Sequence, residues 1–429
     1  MSFRFITPLL TLSLLLSACS DSVSEPEPNP EPAPAASYSG TLPVMHINTT
    51  NSVPITSKEV YVQADWWIDD MGVEGCESIG SQQHPLSMLI KGQGNYTWDH
   101  YPKKSYRLKF DTKQEPLGMS KNRHFVLLAH ADDDLAMLKN TMGFELSRRI
   151  GLAYTPAQQP VEVVLNGNYL GLYFLTEKIR TGKSRVDIAD QHEMETDPTS
   201  IATGGWLLEI DNHPGDNCMN ILERDGVILT ITHHSPEVLS TPQLNYLNDW
   251  ISRVNEAIYT TDKTSTLWEE YIDIDTLAMY YIVGEIMDEM ECFSGSCYLY
   301  KRQGEGNKLI FGPVWDFGNA YQRWAIYQDT RFEYYLYQQP TMFTSHWIEE
   351  ISRFPHFVQV VKKHWREFYG SGFNGLDVDK CVFSHVARIR EAYQADAKLW
   401  PHRPIDSQCT DFKTFFGRKV KWLQSQWGE

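Results

Sequence analysis

Asp316 is the carboxylate in this chain best placed to hold a metal ion. It lies in Val314-Trp315-Asp316-Phe317-Gly318, just after a predicted strand that ends at Gly312-Pro313, so its side chain projects from a tight turn. Asp is also a common turn former, which is the plainer reading of the same residue. Far upstream, Lys103, Lys104 and Lys109 stand in KKSYRLKF. Strand alternation puts Lys103 and Lys109 on one face with Ser105 and Arg107, and Lys104 on the other. Just before them, Gly92-Gln93-Gly94-Asn95 can bring backbone amides close to phosphate. Asp288 and Glu291 are three residues apart, on nearly the same face of a predicted helix. Residue types of this kind bind anions, hold a divalent cation and accept protons.

Other groupings carry less. Asp132-Asp133-Asp134 has the charge to bind a divalent cation, but Asp at a helix start is favourable without one, and the cap is the preferred reading. His233-His234 has no spaced partner, and no Gly-x-Ser-x-Gly elbow of a serine hydrolase is present. Six cysteines remain once Cys19 is set aside: Cys76, Cys218, Cys292, Cys297, Cys381 and Cys409. An even number in an exported chain permits three disulfides. Cys292 with Cys297, and Cys381 with Cys409, are close enough in sequence, which would leave Cys76 with Cys218; connectivity stays open. No Cys-x-x-Cys pair supports zinc.

The elements that must position these residues fall into two halves. Lys58–Asp65, Ser87–Ile90 and Lys103–Phe110 read as strands, and Leu135–Ile150 as a helix stopped by Gly151. Val161–Thr176 is a hairpin about Asn166-Gly167, and Trp206–Ile210 with Val227–His233 adds more strand. After about residue 240 the helical period prevails over Pro242–Ile258, Asp273–Met290 and Ser345–Trp427, broken by a short hairpin at Tyr298–Arg302 and Lys308–Phe311. The fold class expected is α+β: a β-rich lobe over about residues 41–235 and a helical lobe over about 236–429, with a ligand crevice between them. Asp and Glu number 55 against 38 Lys and Arg, a net charge of −17, which argues against nucleic acid as a partner. Thirteen Trp, 22 Tyr and 19 Phe fit a heavily packed core before they fit a sugar-stacking surface.

Residues 1–18 read as a signal peptide, because the apolar run Leu9–Leu16 is too short to span a bilayer. Leu16-Ser17-Ala18-Cys19 resembles the lipobox of bacterial lipoproteins, which implies cleavage before Cys19 and its acylation. Residues 19–40, rich in Glu and Pro, form an extended tether. The expectation is a membrane-anchored lipoprotein of the cell envelope, facing periplasm or exterior.

Three ordered blocks resemble the CotH kinase family: KGQGNYTWDHYPKKSYRLKF running on to LLAHADDDLAMLKNTMGFELSRRIGL, VEVVLNGNYLGLYFLTEKIRTGKSRVDI with GGWLLEID, and GEIMDEMECFSGSCYLYKRQGEGNKLIFGPVWDFGNAY. The resemblance implies a divergent protein-kinase-like, two-lobed fold and transfer of phosphate from ATP, with Mg²⁺ or Mn²⁺, to Ser or Thr of exported or surface proteins. Asp316 then matches the Asp-Phe-Gly metal ligand. The nucleotide-binding lysine falls in the KKSYRLKF strand, with Lys104 first and Lys109 second, beside Asn95 of the glycine loop. Tyr173–Lys178, with Glu177, falls at the adenine-facing connector. Glu145 falls where kinases place a glutamate partner for that lysine, though Arg148 and Arg149 offer it local ion pairs. Glu291 takes the place of the acceptor-side acid, with Asp288 one helical turn away. Relatives usually carry Asp at Glu291 and Arg at Gln93. Those two departures support the alternative, an inactive member serving as a protein- or glycan-binding module.

Overall fold

The computed structural model describes residues 37–189, 203–222, 226–236, 238–322, 332–338, 346–371, 373 and 375–429. The signal peptide and the lipidation of Cys19 expected from the sequence lie outside them. The architecture is mixed α and β, with the β-rich half first and the helical half second, as the periodicities indicate.

The first half closes into a barrel. Its strands are β1 (Val44–Thr49), β2 (Val62–Asp69), β3 (Leu86–Gln93), β4 (Ser105–Gln114), β5 (Asn122–Leu128), β6 (Gln158–Leu165) and β7 (Asn168–Glu177). The order is β1-β2-β3-β4-β5-β7-β6, and a parallel pairing of β1 with β6 shuts the ring. Closure removes every free edge. Alternate residues fill the interior: Trp66 stacks on Phe110 at 4.1 Å, with Leu108, Phe125, Val163 and Tyr173 packed around them. Asn166 and Gly167 both have positive φ, as a tight β6–β7 hairpin requires. The buried Glu162 of β6 accepts from Ser39 N and Oγ at 2.8 and 2.7 Å, which pins the chain just before β1.

Two short elements lean on this wall. Helix α1 (Tyr96–His100) fills the β3–β4 connection, and α2 (Lys139–Ile150) follows β5 and ends at Gly151 with φ 99°. The second sheet has the order β12-β11-β8-β10-β9, from β8 (Trp206–Ile210), β9 (Cys218–Leu222), β10 (Ile228–Ser235), β11 (Cys297–Lys301) and β12 (Leu309–Phe311). Helices α3 (Thr241–Ile258), α4 (Ile274–Met287), α5 (Ile348–Ile351), α6 (Pro355–Gly370), α7 (Gly375–Asp396) and α8 (Ile405–Trp427) complete the fold.

Two expectations are corrected. The lysine strand begins at Ser105, so Lys103 is not in the alternation; it turns inward, 3 % exposed. Its ammonium donates to Asp396 Oδ1 at 2.8 Å and to Leu172 O at 2.6 Å. Asp396 also accepts from Leu172 N at 2.8 Å and pairs with His402 Nε2 at 2.6 Å, so α7 is latched onto β7. A Cβ at Gly171 would overlap that carboxylate. The six cysteines, in turn, are free thiols and not three disulfides. They are spread over separate environments: Cys381 receives Arg149 Nη2, Cys76 lies beside Arg388, and the Cys297 thiol meets the Tyr280 hydroxyl.

Candidate functional site

The Asp316 turn is gripped by α2. Asn140 Oδ1 accepts from Phe317 N at 2.9 Å, and Lys139 Nζ donates to Gly318 O at 3.0 Å. A Cβ at Gly143 would overlap the Phe317 ring, so the missing side chain makes room for it. Asp316 itself has φ 56° and ψ 69°, a left-handed conformation that non-glycine residues seldom adopt.

A second carboxylate meets it there. A Cβ at Gly318 would stand 2.5 Å from Asp132 Oδ2 and 3.4 Å from Asp316 Oδ1, so both acids converge over the glycine. Asp316 is exposed at the crevice. Desolvation by the protein around it and the negative charges of Asp132 and Glu291 raise its pKa above the usual carboxylate value. The acidic triplet thus divides its labour. Asp133 caps the helix entry, accepting from Leu135 N and Lys139 N at 2.9 Å each; Asp134 pairs with Lys139 at 3.2 Å; Asp132 turns to Asp316. Burial works against the charge on Lys139, but the three aspartates hold its pKa above the usual value.

Glu291 comes to the same crevice. Its two carboxylate oxygens accept from the side-chain amides of Asn212 and Asn319, and burial raises its pKa. Sequence reasoning passed over Glu289, which is 2 % exposed with Oε2 unpartnered; its Oε1 accepts from Glu291 N at 3.1 Å. Burial and the charges of Glu291 and Asp316 push it well above the carboxylate range. Asp132 was weighed with its neighbours as a cation ligand and read instead as a helix cap, while Asn140 and Gly143 were passed over as site builders, although all three stand in the first conspicuous block. A cavity of about 340 Å³ opens beside Asp132 and Gly318, walled by Tyr96, Tyr101, Asn319 and Arg403.

Other expected residues lie elsewhere or are occupied. Asp288 is fully buried at the end of α4, where it accepts from Tyr334 Oη at 2.9 Å and lies 3.3 Å from Lys419 Nζ. Glu285 completes that triad at 3.0 Å. Glu177 is buried, paired with Arg185 at 2.7 Å and accepting from Ser120 N and Tyr154 Oη. Lys104 donates to Trp98 O, and Asn95 is exposed, accepting from Lys58 Nζ at 3.3 Å. Glu145 pairs with Arg148 and Arg149 on the surface of α2. Gly92 is explained by close packing, since a Cβ there would overlap the Trp98 ring. Lys109 stays on the outer barrel face beside His124.

The donor set suits a hard divalent cation. Mg²⁺ is commonly held through one or two carboxylates plus substrate phosphates and water, and two converging carboxylates raised by desolvation and by neighbouring acids match that need. Among the described residues no group of three His, Cys, Asp or Glu side chains is arranged around a metal position. Phosphate oxygens would have to supply the remaining ligands.

No curated protein matches the chain. The family model described as CotH kinase protein matches residues 90–424, which takes in the glycine loop, α2, the Asp316 turn and most of α8. With that span matched, the chain belongs to the CotH kinase family.

Proposed function

We propose that the protein is an exported phosphotransferase that moves the γ-phosphoryl group of ATP onto serine or threonine hydroxyls of envelope or surface proteins. A kinase-like relation between the lobes, a Cys19 lipid anchor and a protein acceptor belong to this reading. The observation that carries it is the convergence of Asp132 and Asp316 on a turn that α2 grips through Lys139, Asn140 and Gly143. A divalent cation bound there offsets phosphate charge during transfer. Asp316 and Asp132 would hold it, and Lys139, anchored to Gly318 O, keeps the turn in place. Glu291 is the acceptor-side acid: two neutral amides orient it without discharging it, and its raised pKa makes it a better proton acceptor.

The same two amides also favour a second reading, a binding module without turnover, because they occupy both oxygens of Glu291. Two variants separate the readings. Asp316→Ala should abolish Mg²⁺-dependent ATP binding, whereas Glu291→Ala should spare binding and remove transfer. Calorimetry with and without Mg²⁺, paired with label transfer from ATP to a generic protein, measures both. Unchanged Mg²⁺-ATP affinity in a folded Asp316→Ala protein would sink the kinase reading. Binding without transfer in the wild type would establish the module.

A further inference from the structure

A groove of about 540 Å³ lies between α6, α7 and α8. Its floor is apolar, built from Tyr369 of α6, Phe373, Val378 of α7, and Phe416 and Val420 of α8. Phe373 is fixed there by stacking on Phe368 at 4.6 Å and leaning on Phe416 at 5.8 Å. The groove follows α8 from Thr410 to Gln424, about 21 Å at the rise of an α-helix. That length suits a helix of about four turns laid alongside, and it exceeds what a compact small molecule fills.

Gly417 stands midway along it, inside α8, where glycine costs stability relative to alanine. Among the described residues nothing accounts for it: the backbone there is helical, and a Cβ would meet no atom within 4 Å. An exposed glycine with open space before it admits a second backbone to close approach. Lys413 and Lys421 lie one turn to either side of it on the same exposed face. Lys413 is 3.3 Å from Asp379 of α7, whereas no carboxylate among the described residues pairs with Lys421. Phe383, 76 % exposed, is one turn along α7 from Asp379 and extends the apolar surface past the rim. The setting is basic as well: residues 355–429 hold 12 Lys and Arg against 8 Asp and Glu, in a chain whose net charge is −17.

We propose that this groove docks an acidic amphipathic helix of a partner protein. The apolar face of that helix enters over Phe373 and Val420, its backbone crosses α8 at Gly417, and its carboxylates meet Lys413 and Lys421. Recognition of this kind places apolar anchors at helical spacing in a groove. Charge then selects the partner, because an acidic helix is drawn to this face of a molecule that is otherwise acidic. The inference stands whether or not the protein transfers phosphate, since no residue of the Asp316 site takes part in it.

The test titrates the full chain into a fluorescent peptide of about 15 residues, with Leu and Phe along one helical face and Glu along the other, and reads anisotropy. The same peptide with Lys in place of Glu should bind about tenfold more weakly or worse, and salt should weaken the acidic one. Lys421→Glu should weaken the acidic peptide by about tenfold. Gly417→Leu should block it while the melting temperature holds or rises, because leucine is the better helix former. A wild type that binds acidic and basic peptides alike, or a folded Gly417→Leu protein that binds like the wild type, would overturn the docking site. So would a wild type that binds neither peptide. Self-association in sedimentation velocity that Lys421→Glu abolishes would give the groove to a second copy of the chain and overturn the partner.

Discussion

At the scale of residues, carboxylates that look alike in sequence do different work because of what stands against them. Asp316 faces other acids and rises toward neutrality. Asp288, one helical turn from Glu291 in the sequence reading, faces Lys419 in a fully buried triad with Glu285. Removing Asp288 strips a buried lysine of one of its two counter-charges, which costs on the order of 3 kcal/mol in comparable pairs. Asp288→Ala should therefore shift the denaturation midpoint clearly, while Asp316→Ala should leave it unchanged or raise it, because it relieves repulsion. Urea titrations of the two variants check this. A midpoint that moves for Asp316 and not for Asp288 would reverse the assignment.

At the scale of elements, α2 is the piece that turns a sequence motif into a site. Gly143→Ala should push against Phe317 and disturb the Asp316 turn, costing about 1–3 kcal/mol as overpacking does. Nucleotide affinity should fall with it although Gly143 touches no ligand. Thermal melts and nucleotide titrations on that variant measure both effects. Local pattern made the Asn166-Gly167 hairpin, the β4 alternation and the stop at Gly151 legible. Barrel closure was not legible, because β1 and β6 pair across more than a hundred residues and β1 and β5 carry no strong local signal. Lys103 was misread for a related reason: its partner Asp396 lies in α7, and no spacing rule near KKSYRLKF points there. The grip of Lys139, Asn140 and Gly143 on residues 317 and 318 is long-range too. Its one trace in the sequence was the presence of these residues in a conspicuous block.

At the scale of the whole molecule, acid should weaken the fold. His130 and His385 are buried and neutral, held down by burial to about 3 and about 4. The unfolded chain protonates each as pH falls through about 6.5, while the folded chain does not. Stability from these groups is thus present above pH 6.5 and lost as pH falls from there to about 4 for His385 and about 3 for His130. His385→Asn should be less stable at pH 7 but show a flatter decline, and denaturation at pH 7 and 5 tests it. Parallel decline in both proteins would show that His385 is not a source of the loss. Among the described residues no helix is long and apolar enough to cross a membrane. Cys19→Ala should accordingly release the protein from the membrane fraction, and sedimentation after a high-salt wash measures it. A variant that still sediments would refute the lipid anchor.

The clasp between Glu162 and Ser39 has a mechanical meaning. Tension applied to the chain before Ser39 passes first to its hydrogen bonds on Glu162, then to β1. Because β1 runs parallel to β6, such a pull loads their ladder along its length. The bonds between β1 and β6 must then give way together and not one after another like a zipper.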